Sequence, residues 1–332
     1  MKTERKNITQ PADTAGAFLG SIPRQSNTIR GLACVALAWP VPAITGTGRI
    51  KRGAEAMSLP VNNVNRVASK GFDMKTNATG NSGFSTVLNY GGGRQTVAMC
   101  VLIARGILPR PDLIVMADTD RENPSTWEYL QQHMKPYLAA HGLAVEIAPH
   151  SLATVDLYSG NGDLLLPVFT DTGKLRTYCS NEWKRRVLDR YLRSKGIKGG
   201  TRWIGFAFDE KRRWAGMHGK TEGKWTTICP LVDLMINTAA CLKIIEAAGL
   251  PQPHHSACWM CPHKRNAEWR FIRDNYPEHW QQAIAMDEEV RENDAKGGVF
   301  LHHDRVPLAE ANIDVDESEG KIQQCTLGVC FV

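Results

Sequence analysis

The chain has 332 residues, 42% of them hydrophobic, and its 40 Lys and Arg against 34 Asp and Glu give a formal charge of +6. A real core is within reach of such a chain, and so modest a charge neither requires nor forbids a polyanionic partner. The longest apolar stretch near the start, 31–44, carries two prolines and is too short to cross a bilayer, so no membrane partner is expected. No clean signal peptide follows, which makes a cytoplasmic location the expectation.

Residues 1–80 scatter Pro, Gly, Asn, Ser and Thr without a sustained period, and read as a flexible N-terminal extension. From Phe84 the pattern changes to strand (85–90), glycine turn (91–93) and helix (96–105). A second strand at 112–117 leads through the polar loop 118–124 into a helix over 125–141, and 144–147 reads as a third strand. Successive strand-to-helix units imply right-handed crossovers and a parallel sheet, with ligand loops at the strand carboxyl ends. Further on, 180–195 reads as a basic helix, 203–208 as a buried strand, 209–213 as its charged exit loop, and 230–249 as one helix ending on a glycine. Two more helices are expected at 268–275 and 278–293. The resulting division is an α/β nucleotide-binding domain over 81–262 and a helical, cysteine-containing region over 263–332.

The run Gly91-Gly92-Gly93-Arg94-Gln95-Thr96 places flexible backbone between an apolar strand and a helix start. Glycines let the chain turn sharply and present N–H groups, the helix start adds partial positive charge, and a phosphate is the natural guest. Arg94 offers a bidentate contact and Thr96 a hydroxyl. The run matches neither of the two common nucleotide-loop patterns, and a purely structural turn is the competing reading. Asp118 and Asp120, just after the second strand, suit a ribose hydroxyl, a cation such as magnesium or a substrate amine, and equally suit helix capping. Asp209 and Glu210 pose the same choice at the later strand. Arg176, Lys184, Arg185 and Arg186 form a basic group that suits sulfate, phosphate or a nucleic-acid backbone, or a solvated face.

Nine cysteines are too few for a disulfide scaffold and too clustered to be indifferent. Cys258-Trp-Met-Cys261 presents two thiolates at metal-ligand spacing, with a [4Fe-4S] cluster, zinc and a redox dithiol as the alternatives. Cys325 and Cys330 add a pair near the end. Cys34, Cys100, Cys229 and Cys241 read as packing.

Residues 90–96 resemble the PP-loop of the adenine nucleotide α-hydrolase superfamily, in its phosphoadenylyl sulfate (PAPS) reductase-like branch, whose loop commonly reads Ser-Gly-Gly-Lys-Asp-Ser. Gly92, Gly93 and Thr96 keep that pattern, whereas Gly91 and Gln95 depart from it and Arg94 stands for the Lys. The stretches 117–124, 204–213 and 256–262 resemble further pieces of the same branch in the same order. The resemblance implies a Rossmann-like parallel sheet, an adenine nucleotide or sulfonucleotide ligand (ATP among them), and sulfur chemistry with a thiol reductant or sulfur donor. It implies nucleotide contacts from Gly91, Gly92, Gly93, Arg94, Gln95, Thr96, Asp118, Asp120, Asp209 and Glu210. It also implies metal ligation by Cys179 with Cys258 and Cys261, completed by Cys325 or Cys330, and catalysis by the remaining tail cysteine with Asp118. Thiolating relatives suggest an alternative, ATP-dependent adenylylation and sulfur transfer to a nucleic-acid acceptor. A non-catalytic binding module is the third reading.

Overall fold

The computed structural model describes residues 84–294 and 298–316; the 1–80 extension, Cys34, Cys325 and Cys330 lie outside the described residues. The strands are β1 (Phe84–Asn89), β2 (Leu113–Ala117), β3 (Val145–Ala148), β4 (Phe169–Thr170) and β5 (Gly173–Lys174), then β6 (Gly199–Ile204), β7 (Thr221–Glu222), β8 (Trp225–Ile228) and β9 (Val299–Phe300). The helices begin with α1 (Arg94–Ala104), then α2 (Pro124–Tyr129), which runs through a π-helical turn, Leu130–Met134, into α3 (Lys135–Ala140). A second π turn, Ser180–Arg185, leads into α4 (Arg186–Ser194), and the short α5 (Lys211–Trp214) and α6 (Pro230–Asp233) precede α7 (Thr238–Glu246), α8 (Asn266–Asn275) and α9 (Pro277–Asn293). No helix among the described residues is long and apolar enough to cross a membrane.

Six strands form one sheet in the order β3-β2-β1-β6-β8-β7, all parallel except the edge strand β7. This is the α/β parallel sheet expected from the strand-to-helix units. The chain steps outward from β1 to β3 and then returns to lay β6 on the other side of β1. The crossovers therefore diverge at the carboxyl ends of β1 and β6, which opens a crevice there. Side chains alternate across the central strand. Leu88 joins Ile114, Met116 and Trp203 under α1, α3 and α7, whereas Val87 joins Val115 and Ala148 under Val187, Leu188 and Leu192 of α4.

Two differences from the sequence reading have local causes. The strand expected at 203–208 begins and ends earlier, because Gly199 and Gly200 pair with Phe84 and Ser85 while Gly205 lies against the start of α1. A Cβ on Gly205 would stand 2.6 Å from Thr96 Cγ2, so ladder and helix meet at a residue with no side chain. The single helix expected over 230–249 is two, since Met235 adopts a positive φ of 54° and the Asn237 side chain accepts the Ala240 N–H at 2.8 Å, starting α7 afresh.

A second core lies beside the sheet. Leu165, Leu166 and Val168 from the middle of the chain pack with Trp183, with Trp259 and Met260 of the cysteine motif, and with Trp269, Ala283 and Val290 of α8 and α9. β4 pairs on one side with β5 and on the other with β9, joining 169–170 to 299–300. Trp269 and Trp280 meet edge to face at 6.1 Å, which packs α8 against α9.

Gly200 is the tightest point of the β1–β6 pair. Its φ is +137°, and a Cβ there would lie 2.6 Å from the Ser85 nitrogen and closer still to the Ser85 carbonyl oxygen. Gly200→Ala is expected to cost about 3 kcal/mol, the upper end of overpacking, because backbone rather than a mobile side chain must yield. Urea denaturation checks this; an unchanged midpoint would show that the pair relaxes freely.

Candidate functional site

The glycine loop occupies the crevice position. β1 ends at Asn89, Gly92 turns the chain at φ +71°, and Gly93 in extended conformation caps α1, whose first turn points its unpaired N–H groups out of the helix. A Cβ on Gly92 would collide with the Thr126 methyl, and one on Gly93 would lie 3.1 Å from Ser256 Oγ. Both neighbours come from remote segments, so the glycines let α2 and the cysteine-bearing loop close on the helix start. The Thr96 hydroxyl donates to the Gly93 carbonyl at 3.1 Å and braces the loop. Arg94 borders it, with a buried Nε that has no protein acceptor.

Gln95 stands where the resemblance would place a carboxylate, and its Nε2 donates to Glu210 Oε2 at 3.1 Å. Glu210 also accepts the Ala207 N–H at 2.8 Å and pairs with Arg213, whose guanidinium lies 4.4 Å over the Phe206 ring. A carboxylate is thereby brought to the loop from 115 residues away. Asp209 is turned elsewhere, accepting the Thr238 N–H and hydroxyl at 3.0 and 3.1 Å at the start of α7.

On the other side, the β2 exit loop pairs with the cysteine motif. Asn123 N donates to Ala257 O at 2.9 Å, Trp259 N donates to Arg121 O at 2.8 Å, and Glu122 and Cys258 form an antiparallel bridge. Asp118 accepts the Asp120 N–H at 2.8 Å, holding Asp120 at φ +57°. Both aspartates line a groove of about 390 Å³ with Glu122, Trp127, Glu128 and Trp259. Glu122 itself is buried, accepts from Thr126 Oγ1 at 3.3 Å, and pairs with Lys184 at 3.4 Å.

Cys179, Cys258 and Cys261 are free thiols that interact electrostatically. Burial, then Cys258 and Cys261, raise the Cys179 thiol well above its ordinary range. Burial likewise pushes Cys258 up to about 12 against the opposing pull of Lys184, and raises Cys261 against Lys264 and Lys174. For Lys184, burial favours the neutral amine, but Glu122, Cys258 and Cys179 outweigh it and hold the ammonium above its usual range. The group is thus a set of thiols that ionise only beside a compensating cation.

The donor set also bears on which metal it suits. Four ligands around zinc place sulfurs about 3.8 Å apart, whereas a [4Fe-4S] cluster spaces them about 6–7 Å apart. Among the described residues, the group of three His, Cys, Asp or Glu ligand atoms within 4.8 Å of one another is His302, His303 and Asp304, and the three cysteines are not so close. As placed, the three sulfurs are not all at the mutual spacing of zinc-bound thiolates. The histidines that flank the cysteine motif are engaged: His254 stacks on Phe271 at 4.2 Å, His255 pairs with Glu268 at 2.7 Å, and His263 meets Lys174 at 2.7 Å. Cys100, Cys229 and Cys241 are buried, as their apolar settings suggest.

Three contributors carried little sequence signal. Asn89 is a polar residue at the end of an apolar strand, Glu122 hides within an acidic loop whose aspartates draw attention first, and Lys184 is one cation among several in a basic stretch. Ser256 gains meaning only from its contact with the loop.

No protein-family model matches the chain, and no curated protein matches it. Among solved structures it is similar to the U34-tRNA thiolase NcsA from Methanococcus maripaludis with its [4Fe-4S] cluster, at 13% identity and a TM-score of 0.41, over 70% of this chain and 78% of that one. It is also similar to phosphoadenylyl-sulfate (PAPS) reductase from Candida auris in a phosphate complex, at 14% identity and a TM-score of 0.35, over 62% of this chain and 92% of that one. Likeness at this level leaves the chemistry of the site to its own geometry.

Glu268 anchors the segment after the cysteine motif, accepting the Arg265 N–H at 2.8 Å and pairing with His255. Burial alone would raise its carboxyl, but His255, Lys264 and the Arg265 N–H overcome this and lower it to about 2. A carboxylate depressed in the folded state stabilises above its unfolded value, about 4.3, and that contribution fades as pH falls towards 2. Glu268→Gln is therefore expected to lower stability at neutral pH and to flatten its decline between about pH 4.3 and 2, a difference read by denaturation at a series of pH values.

Proposed function

We propose that the chain is an adenine-nucleotide-binding enzyme of the PAPS reductase-like PP-loop type that carries out sulfur chemistry at a three-cysteine centre. The observation that carries this reading is the contact of Ser256 with Gly93, two residues before Cys258, which sets the cysteine motif next to the glycine loop. Phosphate or sulfate oxygens meet the amides of Gly91, Gly92, Gly93 and the first turn of α1, with Arg94 adding charge-assisted hydrogen bonds. Thr96 and Gln95 act through the loop, the first bracing Gly93 and the second orienting Glu210. Asp118 and Asp120 face the groove, where they suit a magnesium ion or a polar part of the acceptor. Asp209, occupied with α7, has no place in this reading of the site.

Cys179, Cys258 and Cys261 would hold a [4Fe-4S] cluster, with Cys325 or Cys330 as the proposed fourth ligand. Such a cluster supplies soft iron sites for electrons or sulfur. Lys184 holds a buried positive charge that interacts with Glu122 and with the Cys179 and Cys258 thiols, partly offsetting the cost of burying their thiolates.

A second reading, adenylylation of an acceptor by ATP followed by sulfur transfer, is favoured by the groove of about 390 Å³ with Trp127 and Trp259 in its walls, room for an acceptor beyond the phosphates. The two differ in product. Pyrophosphate release from ATP marks adenylylation, whereas sulfite release from a sulfonucleotide with a thiol reductant marks reduction.

Anaerobically purified protein is expected to carry about four iron and four sulfide per chain, with Cys258→Ala losing both together with thermal stability. Iron-free protein with an unaltered melting temperature in Cys258→Ala would remove the cluster from the proposal. Arg94→Ala is expected to weaken adenine-nucleotide binding about tenfold while changing the melting temperature little, as measured by calorimetry. Equal affinity in the two proteins would take Arg94 out of the site.

A further inference from the structure

Directly below the glycine loop, between the ends of β1 and β2, lies a hollow of about 20 Å³ lined by Asn89, Tyr90, Gly91, Ala117, Glu122 and Lys184, among others. Asn89 is 6% exposed, and neither Oδ1 nor Nδ2 of its amide has a protein partner. Its backbone is fixed in the ladder, opposite Val115 on one side and Ile204 on the other, so the side chain cannot be withdrawn by a shift of the strand. A buried amide without a partner is a cost to the unliganded fold that a bound group removes.

Size and chemistry restrict that group. A water-sized occupant needs roughly 10–15 Å³, so the hollow takes one hydroxyl and is too small for a nucleobase or a phosphate. The wall offers Asn89 Nδ2 and the Lys184 ammonium as donors, with Asn89 Oδ1 and the Glu122 carboxylate as acceptors. A hydroxyl, which donates once and accepts twice, complements them. Gly91 belongs both to this wall and to the proposed phosphate-binding loop, so the hydroxyl nearest to hand is on the sugar that carries those phosphates.

Resting on the nucleotide-binding reading above, we infer that the hollow receives one ribose hydroxyl of the nucleotide and that Asn89 is the residue that reads it. Asn89 thereby sets specificity for the sugar without touching the reacting atoms.

The test is calorimetric titration of the full chain with ATP, 2′-deoxyATP and 3′-deoxyATP, repeated on Asn89→Leu and on Asn89→Ala in case the larger side chain impairs folding. The wild-type protein is expected to bind one of the two deoxynucleotides about tenfold more weakly than ATP, the loss typical of one hydrogen-bonded hydroxyl. The Asn89 variants are expected to bind ATP about tenfold more weakly and to distinguish it no longer from that analogue. Equal binding of all three nucleotides by the wild type overturns the inference and assigns the hollow to a water molecule, leaving the functional reading intact. Discrimination that survives in the variants overturns it as well, placing the hydroxyl elsewhere. Failure of every nucleotide to bind the wild type removes both this inference and the reading on which it rests.

Discussion

Everything at the crevice depends on the short backbone pairing between 121–123 and 257–259. Two irregular segments more than 130 residues apart in sequence are held there by main-chain hydrogen bonds, which fix position without regard to side-chain identity. Once that pairing is made, Ser256 is against the glycine loop, Cys258 is beside Glu122, and Trp259 with Met260 enters the second core. Thr119 Oγ1 approaches Cys258 Sγ at 3.9 Å, and Lys264 Nζ reaches Asn123 Oδ1 at 3.4 Å. The sheet and the second core therefore meet across the site, and the groups proposed for nucleotide and for metal cannot drift apart independently.

The Glu122–Lys184 pair shows how charge is managed in this setting. Only 1% of the Glu122 side chain and 14% of that of Lys184 is exposed, so each ion has given up most of its water. Such a pair contributes little net stability, but removing either member would strand the other in a medium that penalises charge. Its value here is positional: the π turn at 180–185 carries Cys179 at its start and Lys184 within it, so one local distortion brings together a thiol and the cation that pairs with Glu122.

The sheet was legible in the sequence because its central strands are apolar runs broken by glycine, and 3.6-residue periodicity marked most of the helices. The glycine loop was legible for the same reason, since only glycine suits the turn at Gly92 and the close approaches of Thr126 and Ser256. What stayed hidden depends on partners remote in sequence. Nothing local tells that Gln95 will meet Glu210, that Asp209 will start α7 and not face the crevice, or that the amide of Asn89 will be shut in beside Lys184. The hairpin of β7 and β8 escaped because its strands are short, Thr-Glu and Trp-Thr-Thr-Ile about a Gly-Lys turn, and it becomes a strand pair only against β6. The polar loop and the CxxC each stood out in the sequence, yet their pairing is a tertiary event that no spacing encodes.

The pairing of β4 with β9 has a consequence for the order in which the molecule is made. Phe169 faces Phe300 across the ladder, so a strand synthesised midway through the chain waits for one that emerges about 130 residues later. Until then β4 has β5 on one flank and an open edge on the other, while the tryptophans of 183, 259 and 269 await one another. Contacts within β1, α1 and β2 are nearer in sequence and close first. The wall against which Cys179 packs is therefore completed only by the last part of the chain to be made, since Trp259, Met260, Trp269 and Leu301 all follow it by 80 residues or more.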